Sequence, residues 1–165
     1  MPGMRVMNLA GFAACAAMMA YALYAEHKLL LEPCPLCVFQ RVAVIALGIV
    51  FLLAALTPAR RSLRIAHAGL IGLIAAVGAG IAGRHVWLQS LPPEKVPACG
   101  PGLDYIIDSF PLREAMRLVF SGSGECAVAD WHFLGLSMPA WVLISVAILG
   151  VLGVWNNLRR PWGLR

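Results

Sequence analysis

Three residues at the start of an apolar segment have the types and the spacing of a redox site. Cys34 and Cys37 form a Cys-x-x-Cys motif, and Arg41 follows the second cysteine by four residues. The unpaired N–H groups and the dipole at a helix amino terminus stabilise a thiolate, the form of cysteine that reacts in disulfide exchange. Side chains four residues apart share one helix face, and the permanent charge of arginine can also hold an anionic oxygen. The sequence therefore predicts a redox-active pair with Arg41 beside Cys37.

Three other interpretations of these residues stay open at this point. A purely structural Cys34–Cys37 bridge would stabilise weakly, because a two-residue gap closes little loop entropy. A zinc site built from these two cysteines together with Cys99 and Cys126 lacks the second Cys-x-x-Cys unit of a zinc ribbon, so no metal site is expected. Arg41 taken alone is also typical of a charged anchor at a membrane surface.

The elements that position these residues belong to a chain too apolar for a water-soluble globule. Of its 165 residues, 61% are hydrophobic and 13% are charged, whereas soluble domains have about 45–50% and about 25%. A helix of about 20 apolar residues spans a hydrocarbon core. The sequence predicts an all-α membrane protein, a single domain over residues 1–165 with a bundle of four transmembrane helices. The predicted spans are 6–25, 38–56, 63–82 and 140–155.

The first span has the alternative of a secretory signal peptide, which we disfavour because its apolar run exceeds the usual length of about 7–15 residues. Charge predicts the orientation of the spans. The side with both termini and the turn between the second and third spans carries seven arginines and no acid, whereas all eight acidic residues lie on the other side. Because cytoplasmic loops retain Lys and Arg, we expect cytoplasmic termini, with 156–165 as the cytoplasmic tail. The net charge of +5 therefore reflects topology and gives no support to a nucleic-acid partner.

Two loops lie on the opposite side, at 26–37 and 83–139, and they contain four of the five cysteines. Cysteines that face an oxidising compartment are expected to form disulfides, and four cysteines permit three pairings. Cys15, in the middle of the first span, is expected to be a small buried hydrophobe. In the second loop, apolar residues at helical spacing predict a short amphipathic helix that lies on the membrane surface or packs on the bundle. They are Leu112, Ala115, Met116, Val119 and Phe120.

Together these features resemble the DsbB family, the inner-membrane disulfide bond formation proteins. The matching segments are Cys34-Pro-Leu-Cys37-Val-Phe-Gln-Arg41, Gly124-Glu-Cys126 and Trp131-His-Phe-Leu-Gly-Leu-Ser-Met138-Pro-Ala-Trp141. Cys99, in the proline-rich part of the second loop, supplies the fourth thiol. The expected number and topology of helices extend the resemblance over the whole chain.

The resemblance implies a quinone-dependent thiol oxidase of the bacterial inner membrane, with periplasmic loops that contain the redox disulfides Cys34–Cys37 and Cys99–Cys126. A reduced periplasmic partner similar to DsbA is expected to attack the Cys99–Cys126 disulfide and form a mixed disulfide at Cys99. The freed Cys126 then attacks Cys34 and releases Cys37 beside Arg41. The implied electron acceptor is a membrane quinone, with ubiquinone favoured over menaquinone.

Two further residues are expected near the quinone on the same grounds. His85, after the third span, and Met138, ahead of the fourth, are candidate contacts of the quinone ring, although each is also typical of a membrane interface. The sequence assigns no role to Gln40. The alternative function is a non-catalytic membrane scaffold stapled by disulfides, or a metal-handling protein.

Overall fold

The structure, a computed structural model, describes residues 3–31, 33–58, 60–95, 111, 113–114, 124–127 and 131–159. Its elements in chain order are α1 (Met4–Lys28), α2 (Pro35–Leu56), α3 (Arg61–Gln89), a 3-10 turn (Pro93–Lys95), α4 (Gly124–Ala127), β1 (His132–Phe133), β2 (Leu136–Ser137) and α5 (Met138–Leu158). Four helices, α1, α2, α3 and α5, are long and apolar enough to cross a membrane. The prediction of an all-α membrane protein with four such helices is therefore confirmed.

Local signals in the sequence determine where two of these helices begin. Cys34 and Ser137 are the extended N-cap residues of α2 and α5, and each is followed within two positions by a proline. Proline suits the first turn of a helix, because its missing N–H would have no helical acceptor there and its ring fixes a helical φ. The Cys-x-x-Cys motif therefore lies across the start of α2, with Cys34 as the cap and Cys37 in the first turn.

Helix α3 continues beyond the predicted span, which stops at residue 82, and ends at Gln89. Hydropathy stops the span before Arg84, but a helix ends only where the backbone cannot continue, here just ahead of Pro92 and Pro93. His85, expected after the third helix, lies within it. The added turns place His85 3.7 Å from Sγ of Cys34 at the start of α2.

A short β-ribbon before α5 was not expected from the sequence. Strands β1 and β2 pair antiparallel, with His132 opposite Ser137, and Leu134 and Gly135 between them both have positive φ. Positive φ at both central residues is the conformation of a tight hairpin turn. The predicted amphipathic helix around residues 112–120 falls mostly outside the described residues and stays a prediction.

Close packing holds the bundle together. The buried core between the helices includes Leu47 and Phe51 of α2, Ile71 of α3 and Val146 of α5. Small residues let the backbones approach: a Cβ added at Gly150 of α5 would lie 2.5 Å from the Cβ of Ala75. Contacts of this kind are what drives helix association where the surrounding lipid is as apolar as the side chains.

The two ends of the bundle each bury a polar cluster. The amide end consists of Asn8, Asn156 and Asn157, each at most 1% exposed. Asn8 and Asn157 form a reciprocal pair of hydrogen bonds, in which Nδ2 of Asn157 donates to Oδ1 of Asn8 at 3.0 Å and Nδ2 of Asn8 donates back at 3.3 Å. These bonds join α1 to α5. The opposite, thiol end contains Cys34, Cys37, His85 and Cys126.

Candidate functional site

The start of α2 places the two cysteines of the motif side by side. The Sγ atoms of Cys34 and Cys37 are 3.1 Å apart, and both residues are free thiols. Cys34 is buried and Cys37 is partly exposed. A small side-chain movement would bring the sulfurs into bonding distance, so this pair can alternate between a dithiol and a disulfide.

His85 lies against both sulfurs. This contact could not be predicted from the sequence, because His85 is 51 positions from Cys34 and 48 from Cys37. Its side chain is 2% exposed, with Nε2 at 3.7 Å from Sγ of Cys34 and Nδ1 at 4.0 Å from Sγ of Cys37. Nε2 is also 3.0 Å from the backbone oxygen of Cys126. A carbonyl only accepts hydrogen bonds, so Nε2 carries a proton and donates it to Cys126. His85 thereby connects the motif to α4.

Gln40, to which the sequence assigned no role, contacts His85 in this site. It is 4% exposed, and its side-chain nitrogen lies 2.9 Å from Nδ1 of His85. With Nε2 of His85 protonated, Nδ1 accepts this hydrogen bond from Gln40. A buried amide needs a partner, so a glutamine in the apolar α2 signalled a polar contact, but its partner lies 45 positions away.

Cys126 lies in α4 and is 0% exposed. It shares a buried cluster with Cys34, Leu36 and Leu88, against which Cys37 also packs. The structure thus brings three of the four predicted redox cysteines to the thiol end. Cys99 lies outside the described residues, so its pairing with Cys126 stays a prediction. Cys15 is 3% exposed in the core, as expected for a small hydrophobe.

Arg41 is held toward α1. Its guanidinium forms an ion pair with Glu26, and its Nη2 donates to the backbone oxygen of Ala22 at 3.4 Å. Both partners belong to α1, so Arg41 ties the first two helices together at the thiol end. Glu26 was not predicted to contribute, because the pairing depends on how α1 and α2 pack.

A cavity of about 130 Å³ opens beside the cysteine pair. An engineered apolar cavity of about 150 Å³ binds benzene, so this space suits a single six-membered ring. Most of the wall is apolar, and Arg41 and Glu26 carry the formal charges among its described lining residues. The lining residues used below are Met18, Ala22, Cys34, Cys37, Gln40, Arg41, His85, Trp131 and Met138. The three predicted contacts of a quinone ring, Arg41, His85 and Met138, therefore share one cavity.

Aromatic side chains flank this cavity. The ring of Trp131 lies 5.8 Å from that of Tyr21 on α1 and 6.1 Å from that of Phe133 on β1, and Nε1 of Trp141 donates to the Phe133 oxygen at 3.1 Å. Tyr and Trp concentrate at membrane–water interfaces, where one side of the ring is wet and the other apolar. The thiol end thus has the composition of a membrane surface.

Comparison with known proteins agrees with this geometry. The family model for the disulfide bond formation protein DsbB matches residues 4–156. The chain belongs to the DsbB family. A disulfide bond formation protein B of Nitrosococcus oceani is 53% identical over 154 residues, covering 93% of this chain and 90% of the relative. That of Methylococcus capsulatus is 51% identical over 163 residues, covering 97% and 99%.

As a member of the DsbB family, the protein is a multi-pass membrane protein and a disulfide-forming oxidoreductase. The match includes α1, α2, α3 and all but the last two residues of α5, together with the described residues of the thiol end. Membership also sets aside the alternative of a non-catalytic scaffold.

Proposed function

We propose that this DsbB-family protein reoxidises a periplasmic, DsbA-like dithiol protein and passes the electrons to a membrane quinone, with ubiquinone as the favoured acceptor. One observation supports this more than any other. The Cys34–Cys37 pair borders a mostly apolar cavity that also carries Arg41. A dithiol that borders a ring-sized, mostly apolar space can exchange with other cysteines and can also reach a lipid-soluble oxidant.

The cavity fits the head group of a quinone in size and in chemistry. A bound quinone accepts two electrons and two protons. The guanidinium of Arg41 supplies polar hydrogens on the wall, and His85 also lines it with an imidazole ring. The thioether of Met138 supplies a soft, polarisable surface for a ring. The charge of Arg41 is permanent, so it favours an oxygen that becomes negative during reduction.

The first steps are thiol–disulfide exchanges between cysteines, and in each of them one S–S bond forms as another breaks. A thiolate of the partner attacks Cys99, the Cys99–Cys126 bond breaks, and Cys126 leaves as a thiolate. Cys126 then attacks Sγ of Cys34, a Cys34–Cys126 bond forms, and Cys37 leaves as a thiolate. The buried packing of Cys126 with Cys34 supports this second step.

Neighbouring groups prepare Cys37 to leave and to react. Its place in the first turn of α2 lets the helix amino terminus stabilise the thiolate. Nδ1 of His85, at 4.0 Å from Sγ of Cys37, can hold a proton beside the sulfur once Gln40 yields that position. Gln40 and the Cys126 oxygen fix the ring orientation between these exchanges.

We also propose the bacterial inner membrane as the location, with the thiol end toward the periplasm. The support is the charge asymmetry: the arginine-rich, acid-free segments belong to the amide end, and cytoplasmic loops retain such residues. An oxidising periplasm is also where disulfide exchange has a use.

The proposed function is tested by turnover of purified protein. A reduced DsbA-like partner is mixed with the protein and ubiquinone without oxygen, and partner thiols are counted over time. We expect rapid thiol loss that requires quinone and stops in Cys37→Ser, whereas Cys15→Ala, a buried cysteine in the core of the bundle, behaves as wild type. Full turnover in Cys37→Ser, or turnover without an added acceptor, would contradict the proposal.

A further inference from the structure

Three side chains of the thiol end also form a ligand set for a thiophilic metal ion. The Sγ atoms of Cys34 and Cys37 and a ring nitrogen of His85 all lie within 4.8 Å of one another. Two thiolates and one imidazole are a known zinc ligand set that leaves one position open. We propose that the reduced Cys34–Cys37 pair and His85 bind Zn²⁺, and that the bound ion holds the pair in its reduced state.

The distances come close to what zinc requires. With Zn–S near 2.3 Å and Zn–N near 2.0–2.1 Å, a tetrahedral ion places its sulfurs about 3.8 Å apart and each sulfur about 3.5 Å from the nitrogen. The observed distances are 3.1 Å between the sulfurs, 3.7 Å from Sγ of Cys34 to Nε2 of His85 and 4.0 Å from Sγ of Cys37 to Nδ1, and one ring nitrogen lies within 4.8 Å of both sulfurs. The sulfurs must separate by about 0.7 Å, a displacement that side-chain rotation supplies without moving α2.

The imidazole has the outer hydrogen bonds that a metal-bound histidine needs. Such a histidine usually donates its second ring N–H to a carbonyl or carboxylate oxygen. If Nδ1 binds the ion, Nε2 keeps its hydrogen bond to the Cys126 oxygen at 3.0 Å. If Nε2 binds it, Nδ1 donates to the side-chain amide of Gln40, now 2.9 Å away, after the amide turns its oxygen inward. Either ring nitrogen therefore has a suitable partner opposite.

The cavity beside the cysteine pair gives the ion an entry path and leaves room for a fourth ligand. All three ligand residues line the cavity beside the pair, so water can occupy the open position from that side. This site differs from the four-cysteine zinc site considered for the sequence, because it uses a histidine from α3 and needs neither Cys99 nor Cys126 as a ligand.

Binding involves proton release and no electron transfer. The two thiols lose their protons, both thiolates bond to Zn²⁺, and the ion loses water. The disulfide form offers no thiolate and should not bind. A zinc-bound pair has its sulfur lone pairs engaged and cannot pass on electrons, so zinc would stop turnover with the pair reduced. The inference needs only the reduced pair and holds for any electron acceptor.

The test uses tag-free, quinone-free protein that has been reduced and freed of reductant. Zn²⁺ is titrated against a chromophoric chelator, and Co²⁺ replaces it as a spectroscopic probe. We expect one ion per chain at this site, with thiolate-to-cobalt charge transfer and the visible bands of tetrahedral Co²⁺. Protein oxidised at the Cys34–Cys37 pair should lose this binding, a comparison that requires no variant. Equal binding by oxidised and reduced protein would overturn the inference.

Variants assign the ligands. Cys37→Ser and His85→Ala should each weaken Zn²⁺ binding at least about tenfold, because even outer-shell changes cost about 10–100-fold in metal affinity. Matched controls are Cys99→Ser, which removes a thiol that is not a ligand, and His67→Ala, which removes a histidine near the other end of α3. Both controls should bind zinc as wild type does. Unchanged affinity in Cys37→Ser, or a loss in Cys99→Ser, would contradict the assignment.

Turnover gives the second readout. Zn²⁺ added during partner oxidation should slow it, and excess chelator should restore the original rate. Zinc binding without inhibition would overturn the claim that the ion holds the pair reduced, while leaving the thiol oxidase function intact. Absence of turnover in zinc-free protein would instead count against the proposed function alone.

Discussion

Both ends of this bundle bury polar side chains that contact one another, but the side chains at the two ends differ in chemical reactivity. At the amide end, Asn8, Asn156 and Asn157 hydrogen-bond one another between α1 and α5. At the thiol end, His85 contacts Cys34 and Cys37 across α2 and α3. Carboxamides neither ionise nor change their covalent bonds. Imidazole ionises, and thiols both ionise and form disulfides. The amide end is therefore suited to stability and the thiol end to reaction.

This difference predicts which property, electron transfer or folding stability, depends on each end. Changes at the thiol end should alter electron transfer more than folding, since the proposed relay runs through its cysteines. Changes at the amide end should alter folding more than electron transfer, since its hydrogen bonds join helices far from the cysteines.

Cys34→Ser should lower partner reoxidation at least about a thousandfold, because removing a residue that forms a covalent bond in the reaction removes its pathway. The free energy of unfolding in detergent should change by no more than about 1 kcal/mol, because serine has nearly the same side-chain volume as cysteine. The measurement is thiol loss of the partner, alongside denaturant titration. A turnover rate near that of wild type would contradict the claim that the cysteines of the thiol end are required for the reaction.

Arg41→Met should raise the apparent KM for ubiquinone about ten- to a hundredfold, the value of a charge-assisted hydrogen bond. The disulfides should still form, because no cysteine changes. Initial rates over a range of quinone concentrations give KM, and thiol titration gives the disulfide content. An unchanged KM would show that Arg41 serves only to tie α2 to α1 through Glu26.

Asn8→Ala should destabilise the protein by about 1–3 kcal/mol, because it removes the donor to the buried Oδ1 of Asn157 and the acceptor that both α5 amides share. Turnover per folded molecule should stay near the wild-type value. Denaturant titration in detergent measures the first quantity and initial rates the second. Thr57→Ala is the control, because the Thr57 hydroxyl donates to the Leu53 oxygen of its own helix at an exposed position. This variant should change stability by less than about 0.5 kcal/mol.

Gly150→Ala should destabilise by about 1 kcal/mol, because an added methyl overlaps Ala75 and overpacking outweighs the gain in helix propensity. Gly80→Ala is the matched change: a Cβ there meets nothing within 4 Å, and stability should rise by up to about 1 kcal/mol. Thermal unfolding of both variants checks the sign. Equal effects would mean that the approach of α3 and α5 is looser than the structure shows.

The sequence was sufficient for features that depend on neighbouring residues. Apolar runs of spanning length predicted the four helices, and Cys34, Cys37 and Arg41 could be grouped because they occupy two turns of one helix. Family resemblance added His85 and Met138, which the structure places on one cavity.

Contacts between distant segments could not be predicted in the same way. His85 meets Cys34 across 51 positions and Asn8 meets Asn157 across 149, and no local pattern encodes such pairs. Glu26 and Gln40 were visible as polar residues in apolar helices, which indicates that each needs a partner. Which partner each one meets depends on the packing of α1, α2 and α3.

The central claim is that electrons leave through the Cys34–Cys37 pair to a quinone, and its most direct test is an electron count. Quinone absorbance and partner thiols are followed together in one anaerobic reaction. We expect one quinol for each disulfide gained by the partner during turnover of wild type. In Cys37→Ser we expect no quinol and at most one partner disulfide per chain, from the Cys99–Cys126 bond. Partner disulfides beyond one per chain without an equal amount of quinol, or quinol formed by Cys37→Ser, would contradict the claim.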